Sequence, residues 1–342
     1  MTRTTTYKIA VVGATGAVGE TLLSILAERK FPVAGLVPLA SERSAGETVA
    51  FGNRHLTVKN LDQCDFKGID IAFFSAGGKV SREYAPRAAD AGAVVIDNTS
   101  EFRYRDDIPL VVSEVNPQAI ADYTRTGIIA NPNCSTMQML VALAPIHRVA
   151  GIERINVATY QSVSGAGRSG MEELGRQTAA LLNFQDVEPV KFSRQIAFNV
   201  IPHIDDFQEN GYTKEEMKMV WETRKILGDD SIQVNPTAVR VPVFYGHAEA
   251  VHIETRARVS AAQAREILEK APGIKVLDRH EAGGYPTPVS DAAGNDAVYV
   301  GRIREDISHP RGLNLWVVAD NIRKGAALNA VQIAELLVKS YL

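Results

Sequence analysis

Tyr7-Lys-Ile-Ala-Val-Val12 runs without a break into Gly13-Ala-Thr-Gly16-Ala-Val-Gly19, and Glu20 to Arg29 follows with apolar residues at helical spacing. A buried strand, a glycine-rich turn and a helix in that order open a parallel α/β unit. The glycines let the backbone turn tightly and approach a pyrophosphate, whose charge rests on the unpaired N–H groups at the helix start. The spacing is GxxGxxG rather than GxGxxG, so the loop by itself also fits a plain strand-turn-helix corner. A second strand, Val33 to Leu39, ends in Ala40-Ser41-Glu42-Arg43-Ser44-Ala45-Gly46. An NAD site places an acidic residue there to hold the ribose, whereas a hydroxyl and a guanidinium suit a 2′-phosphate, so NADP is expected, with Glu42 keeping NAD as the alternative. Ile69 to Ser75 and Ala93 to Asp97 extend the sheet around a helix from Ser81 to Ala91.

The 342 residues exceed one ordinary core and suit two domains. A net charge of -3 offers no electrostatic case for nucleic acid. Met1 to Tyr7 is polar, and no apolar stretch is long enough to span a bilayer, so neither a signal peptide nor a membrane partner is expected. Two cysteines, Cys64 and Cys134, make no disulfide framework, CxxC and HExxH are absent, and a cytoplasmic chain without a metal follows.

Asn131-Pro132-Asn133-Cys134-Ser135-Thr136 lies between the short strand Gly127 to Ala130 and a helical run from Thr136 to Ile146. A thiol at a helix N-terminus meets unpaired N–H groups and the positive end of the dipole, which favours thiolate and can hold an oxyanion. Beyond it come a strand from Ile155 to Ser162, the loop Ser164 to Gly170, helices Met171 to Leu182 and Thr213 to Leu227, and a strand Ala238 to Val243 that delivers Arg240 and then Gly246-His247. His247 and His252 are an odd number of residues apart in a strand and point to opposite faces, a poor metal pair. A strand near Leu313 to Ala319 precedes a long amphipathic helix from Ala326 to Tyr341, with Gly325 at its start.

The motifs GATGAVG (13–19), SERSAGE (41–47), FR (102–103), NPNCST (131–136), YQSVSGAG (160–167), EEMK (215–218), RVPVFYGH (240–247) and DNIRKGAALNAVQI (320–333) together resemble the aspartate-β-semialdehyde dehydrogenase family from end to end. The resemblance implies an α/β fold: an NADP-binding Rossmann domain at 1–130 completed by 318–342, and an α+β catalytic and dimerisation domain at 131–317. It implies NADPH-dependent reductive dephosphorylation of L-aspartyl-4-phosphate to the semialdehyde, with release of inorganic phosphate, by a homodimer or homotetramer. Residue by residue, Cys134 corresponds to the nucleophile, His247 to the acid/base and Gln161 to the group that orients the acyl chain. Arg240 corresponds to the clamp on the α-carboxylate, Arg103 and Lys218 to the phosphate pair, Asn133 to a further substrate contact, and Glu215 to the glutamate near the ammonium, with Glu216 adjacent in register. Gly13, Thr15, Gly16, Ala17 and Val18 correspond to the phosphate loop, Ser41 and Arg43 to the 2′-phosphate site, Ser164 and Gly165 to a second cofactor contact, and Asn321 to the position beside the nicotinamide. The alternatives are an N-acetyl-γ-glutamyl-phosphate reductase, which would want a neutral pocket in place of Glu215, a non-catalytic NADP-sensing module, and a Cys-His hydrolase that needs no nicotinamide.

Overall fold

A computed structural model describes residues 5–342; residues 1–4, with which the expected first domain begins, lie outside the described residues. By its contacts the chain forms two compact units, one running up to Pro132 and including Ala326–Leu342, the other Asn133–Gly325. The second crossing falls later than the expected 317/318, because Ala319 still pairs within the second unit's sheet and Asp320 accepts the Gly325 N–H.

The first unit contains β1 (Tyr7–Val12), α1 (Ala17–Glu28), β2 (Val33–Ala40), the hairpin β3 (Thr48–Phe51) and β4 (Arg54–Thr57), β5 (Lys59–Asn60), β6 (Ile71–Phe74), α2 (Gly78–Asp90), β7 (Val94–Asp97) and β8 (Ile128–Ala130). Its parallel sheet has the order β5-β2-β1-β6-β7-β8. The chain winds outward from β1 to one side and from β6 to the other, so the crevice between their carboxyl ends is the switch point where such sheets bind ligands. β6 and β7 are buried along their whole length, which is why they read as unbroken apolar runs rather than alternating ones.

The second unit contains α3 (Cys134–Ala150), β9 (Ile152–Gln161), α4 (Arg168–Leu182), α5 (Lys214–Leu227), β10 (Gln233–Arg240), β11 (His247–Thr255), α6 (Ala261–Glu269), β12 (Ile274–Val276), β13 (Val298–Glu305) and β14 (Gly312–Ala319). Its sheet is mixed, in the order β10-β9-β11-β14-β13-β12. β10 starts before the expected Ala238, since Pro236 is tolerated on an edge strand; it stops at Arg240, short of Pro242. α3 is buried over most of its length and packs on β9, β11 and β14. Its apolar character all round is that of a helix covered on every side.

Back in the first unit, α7 (Asn329–Ser340) packs against α1 and buries Val331, Ile333, Ala334 and Leu337. Asn329 ties it down, donating to the Val111 carbonyl at 2.9 Å and accepting the Ser113 N–H at 3.0 Å. The helix does not begin at Ala326: a π-helical turn, Arg323–Leu328, precedes it, and Gly325 lies inside that turn rather than at a terminus. No helix among the described residues is long and apolar enough to cross a membrane.

Gly13 sits at φ +86°, and a Cβ on Gly19 would lie 2.1 Å from the Gly13 carbonyl oxygen. The turn between β1 and α1 therefore closes only with hydrogen at both positions. Gly19→Ala is expected to lower stability by about 1–3 kcal/mol through that overlap, read as a lower urea midpoint with an unchanged slope.

Candidate functional site

The second unit's site grows from one end of its sheet. Gln161 closes β9, Arg240 closes the parallel β10 beside it, His247 opens the antiparallel β11, and Asp320-Asn321 follow the end of β14. Strand direction alone thus brings side chains from four strand ends, distant in sequence, to one edge.

Cys134 is the first residue of α3, and Asn133 is its N-cap, with its Oδ1 accepting the N–H groups of Ser135 at 3.0 Å and Thr136 at 3.2 Å. The remaining donors of Asn133 go to α5: its own N–H reaches Glu222 Oε2 at 2.6 Å and its Nδ2 reaches Glu215 Oε1 at 2.9 Å. Glu215 and Glu222 are seven residues apart, two turns on one helix face. The start of α5 is itself fixed by a capping box, in which Glu216 accepts the Thr213 N–H at 2.7 Å, while its other oxygen accepts the Ala238 N–H at 2.9 Å. Glu216 is thereby committed to the cap and to β10, and it is Glu215 that faces the cysteine's turn. Gly325 lies against Cys134: a Cβ there would be 2.7 Å from Cys134 Cβ.

Glu215 also accepts from Gln161 Nε2 at 3.1 Å and Lys218 Nζ at 2.8 Å. Burial by itself would raise its carboxyl, but the Lys218 charge and these hydrogen bonds outweigh burial and hold it at about 2. Lys218 is paired a second time, with Asp205 at 2.7 Å; burial opposes its charge, and the two carboxylates more than restore it.

His247 is fully buried, and its Nδ1 accepts the backbone N–H of Ser162 at 3.0 Å. An amide N–H can only donate, so Nδ1 carries a lone pair and the ring proton is assigned to Nε2, which has no partner within the protein. Burial first and the Arg240 charge second push the imidazole down to about 3, so it is neutral near pH 7. Arg240 donates to the Ser162 carbonyl at 2.7 Å; burial lowers its pKa, and the charges of Glu215 and Cys134 oppose that. A side chain at Gly165 would press on Arg240 Nη1 at 3.0 Å and on the His247 ring at 3.4 Å. Asn321 Oδ1 accepts from Ser162 Oγ at 3.0 Å and from the Gly246 N–H at 3.0 Å, and its Nδ2 donates to Ser164 Oγ at 3.0 Å.

In the first unit, α1 starts at the N-cap Gly16, which provides no side-chain cap. The helix start at Ala17 and Val18, with Gly13 and Thr15 leading into it, is therefore shaped to take a phosphate. Ser41 and Arg43 are exposed beyond the end of β2, a hydroxyl and a guanidinium open to an anion, with exposed Glu42 between them. These groups fit NADP, the glycine turn taking the pyrophosphate and the Ser-Arg pair the 2′-phosphate. Arg103 is buried, donating to the carbonyls of Asn131 and Asn98, each at 2.9 Å.

The structure therefore gathers Asn133, Cys134, Gln161, Ser164, Gly165, Glu215, Lys218, Arg240, His247 and Asn321 in the second unit, and keeps Gly13, Thr15, Gly16, Ala17, Val18, Ser41, Arg43 and Arg103 in the first. Sequence reasoning missed Glu222, Ser162, Asp205 and the closeness of Gly325 to Cys134. The seven-residue step from Glu215 to Glu222 was a usable signal; an acidic residue repeated at that spacing on an amphipathic helix shares a face.

Family models match both parts of the chain: "Semialdehyde dehydrogenase, NAD binding domain" at residues 8–123 and "Semialdehyde dehydrogenase, dimerisation domain" at residues 143–324. The chain is 61% identical to the aspartate-semialdehyde dehydrogenase of Legionella pneumophila over 98% of its own length and 96% of that protein's. It is 63% identical to aspartate-semialdehyde dehydrogenase 2 of Vibrio cholerae over 98% of both chains. Among solved structures, aspartate semialdehyde dehydrogenase II complexed with ASA from Vibrio cholerae superposes with a TM-score of 0.97 at 62% identity, covering 99% of this chain and 100% of that one. The NADP complex of aspartate semialdehyde dehydrogenase from Candida albicans superposes at 0.76 with 26% identity, over 98% and 99% of the two chains.

The pairing of Glu215 carries a pH signature. Its folded carboxyl lies at about 2, below the unfolded value of about 4.3, so its contribution is full above that value and is lost as pH falls toward 2. Glu215→Gln is expected to lose roughly 3 kcal/mol near neutral pH, with urea curves of the two proteins converging in acid. Curves that stay parallel across that window would remove the Lys218 pairing as the cause.

Proposed function

The chain belongs to the aspartate-semialdehyde dehydrogenase family, and from that premise we propose that it catalyses the NADPH-dependent reductive dephosphorylation of L-aspartyl-4-phosphate to L-aspartate 4-semialdehyde through a thioester on Cys134. The observation that carries the reading is the Cys134 turn itself: a half-buried thiol at the start of a capped helix, within reach of the Arg240 charge, in the unit that also holds Gln161 and a neutral His247. The first unit is assigned to NADP and the second to substrate and subunit pairing, in a cytoplasmic homodimer or homotetramer whose partners are small molecules rather than nucleic acid or membrane.

Cys134 attacks the acyl phosphate, forming the C–S bond as the C–O bond to phosphate breaks. A thioester accepts hydride where a carboxylate would resist it, which is the purpose of the covalent step. NADPH, when bound, supplies that hydride. The thioester carbonyl oxygen then becomes an oxyanion, and the Nε2–H of His247 is the donor suited to it, a neutral imidazole doing the work of an oxyanion hole. The oxyanion collapses and expels Cys134 as thiolate, so sulfur leaves in the form in which it attacked. No proton has to be taken from the tetrahedral adduct, and a ring held neutral is adequate to the whole cycle. This refines the acid/base assignment of His247 toward that of a donor. Gln161 is oriented by Glu215 for the acyl group, Arg240 holds the α-carboxylate in a bidentate fork, and Arg103 and Lys218, each within its own unit, are cations suited to phosphate. Glu215, already holding Lys218, Asn133 and Gln161, supplies the negative charge that an ammonium seeks. That carboxylate favours the free amine over the N-acetyl substrate of the nearest rival reaction.

The test is NADPH formation from aspartate semialdehyde, phosphate and NADP⁺, followed by its absorbance in freshly reduced protein. A phosphate-dependent signal that falls about 10⁴-fold or more in Cys134→Ala is expected. Turnover of N-acetylglutamate semialdehyde in its place would transfer the chain to the neighbouring reductase, and thioester hydrolysis without nicotinamide would make it a hydrolase.

A further inference from the structure

Among the described residues, the buried polar atoms without a hydrogen-bond partner include both carboxyl oxygens of Glu249 and Oε1 of Gln138. The mechanism above uses neither residue. Glu249 lies on β11 two residues beyond His247, so the two side chains leave the strand on the same buried face. Gln138 lies on α3 four residues beyond Cys134, one turn along the same helix face. The Gln138 amide lies against the Glu249 carboxyl, and its Nε2 approaches the His247 carbonyl oxygen at 3.4 Å. Neither cross-strand neighbour of Glu249 serves it. Thr159, its cross-strand neighbour on β9, has its hydroxyl hydrogen on Gln161 Oε1 at 3.0 Å, and Val317, opposite on β14, is apolar. The titratable neighbour on its own strand face, His247, is neutral and turned to Ser162.

An ionised carboxylate has acceptors only and would be left with one amide in a dry interior. A neutral acid has one donor and one acceptor, the complement of a primary amide. We propose that Glu249 and Gln138 form a carboxylic acid–amide pair that sets the register of the nucleophile's helix on the histidine's strand. The acid O–H donates to Gln138 Oε1, one Gln138 N–H donates to the acid carbonyl, and the second N–H goes to the His247 carbonyl. All three orphaned atoms are then satisfied at once. The pair reaches no substrate; both members are positioning residues, one turn from Cys134 and one strand step from His247. This role rests on reading those two residues as the reacting pair. Burial pushes the Glu249 carboxyl well above its usual range, with the nearby Gln138 amide opposing it only in part. Its contribution to stability is therefore full below the unfolded value of about 4.3 and drains away as pH rises toward the folded one.

The experiment compares the full-length protein with Glu249→Gln and Glu249→Leu. Infrared spectra of the wild type near neutral pH are expected to contain the carbonyl band of a protonated carboxylic acid, missing from E249Q. An amide in place of the acid keeps the pair, so E249Q should retain kcat, and its melting temperature should gain on the wild type progressively as pH rises. E249L breaks the pair and should lose about 10²-fold in kcat with little change in either KM. Absence of the protonated band, melting curves that keep a constant gap with pH, or wild-type kcat in E249L would each overturn the proposal. The infrared and melting results need no turnover, so a protein inactive toward aspartate semialdehyde would sink the proposed reaction and leave the pair to be judged on its own.

Discussion

Everything in the second unit's site depends on how Asn133 is held. Its side-chain oxygen serves two N–H groups of the first turn of α3, its amide serves Glu215, and its own N–H serves Glu222. The residue is 6% exposed, so an unsatisfied group there would cost the full desolvation penalty. A neutral cap matters for the chemistry. An aspartate could accept the same two N–H bonds, but it would set a negative charge one residue from the thiol and could not donate to Glu215. Asparagine supplies the acceptor for the helix and the donor for the glutamate together.

The constraint propagates through α5. One helix face supplies Glu215 and Glu222 to the cap, while Lys218, one turn on from Glu215, balances its charge and is itself balanced by Asp205. Glu216 points elsewhere and ties the same helix to β10, the strand that ends in Arg240. The positions of Cys134 and Arg240 are therefore set by adjacent residues of a single helix. Ser162 does the corresponding work for the sheet edge: its N–H fixes the tautomer of His247, its carbonyl holds Arg240, and its hydroxyl joins Asn321. The serine lies directly after the last residue of β9, where the ladder no longer claims its backbone groups.

Much of this was legible in the sequence, and for identifiable reasons. β1, its glycine turn and α1 announce themselves because buried parallel strands are continuous apolar runs and because a tight turn against a helix admits only glycine at Gly13 and Gly19. Cys134 stood out as a candidate from its place between a short strand and a helix, whereas Gln161, Arg240 and His247 stood out as candidates through the motifs that carry the family resemblance. What could not be read was long-range pairing. Glu222, Asp205 and Glu249 look like ordinary charged positions until the fold brings them against Asn133, Lys218 and Gln138. Gly325 was read as a helix start because a glycine before an apolar periodic run is normally one; its closeness to Cys134 arises from a π turn, which has no sequence period of its own.

The charges around the thiol also separate the roles of two cations that a sequence treats alike. Lys218 is bound by two carboxylates, so its charge is spent within the protein, and under the proposed function it meets phosphate through residual donors rather than net field. Arg240 is anchored by a backbone carbonyl instead, which fixes its direction without neutralising it. Burial makes that charge costly and lowers its pKa, and the charges of Glu215 and Cys134 offset the cost only in part. A buried cation that carries such a cost gains most from an anion that arrives with the ligand. Under the proposed function that anion is the substrate α-carboxylate, and binding and charge compensation become one event.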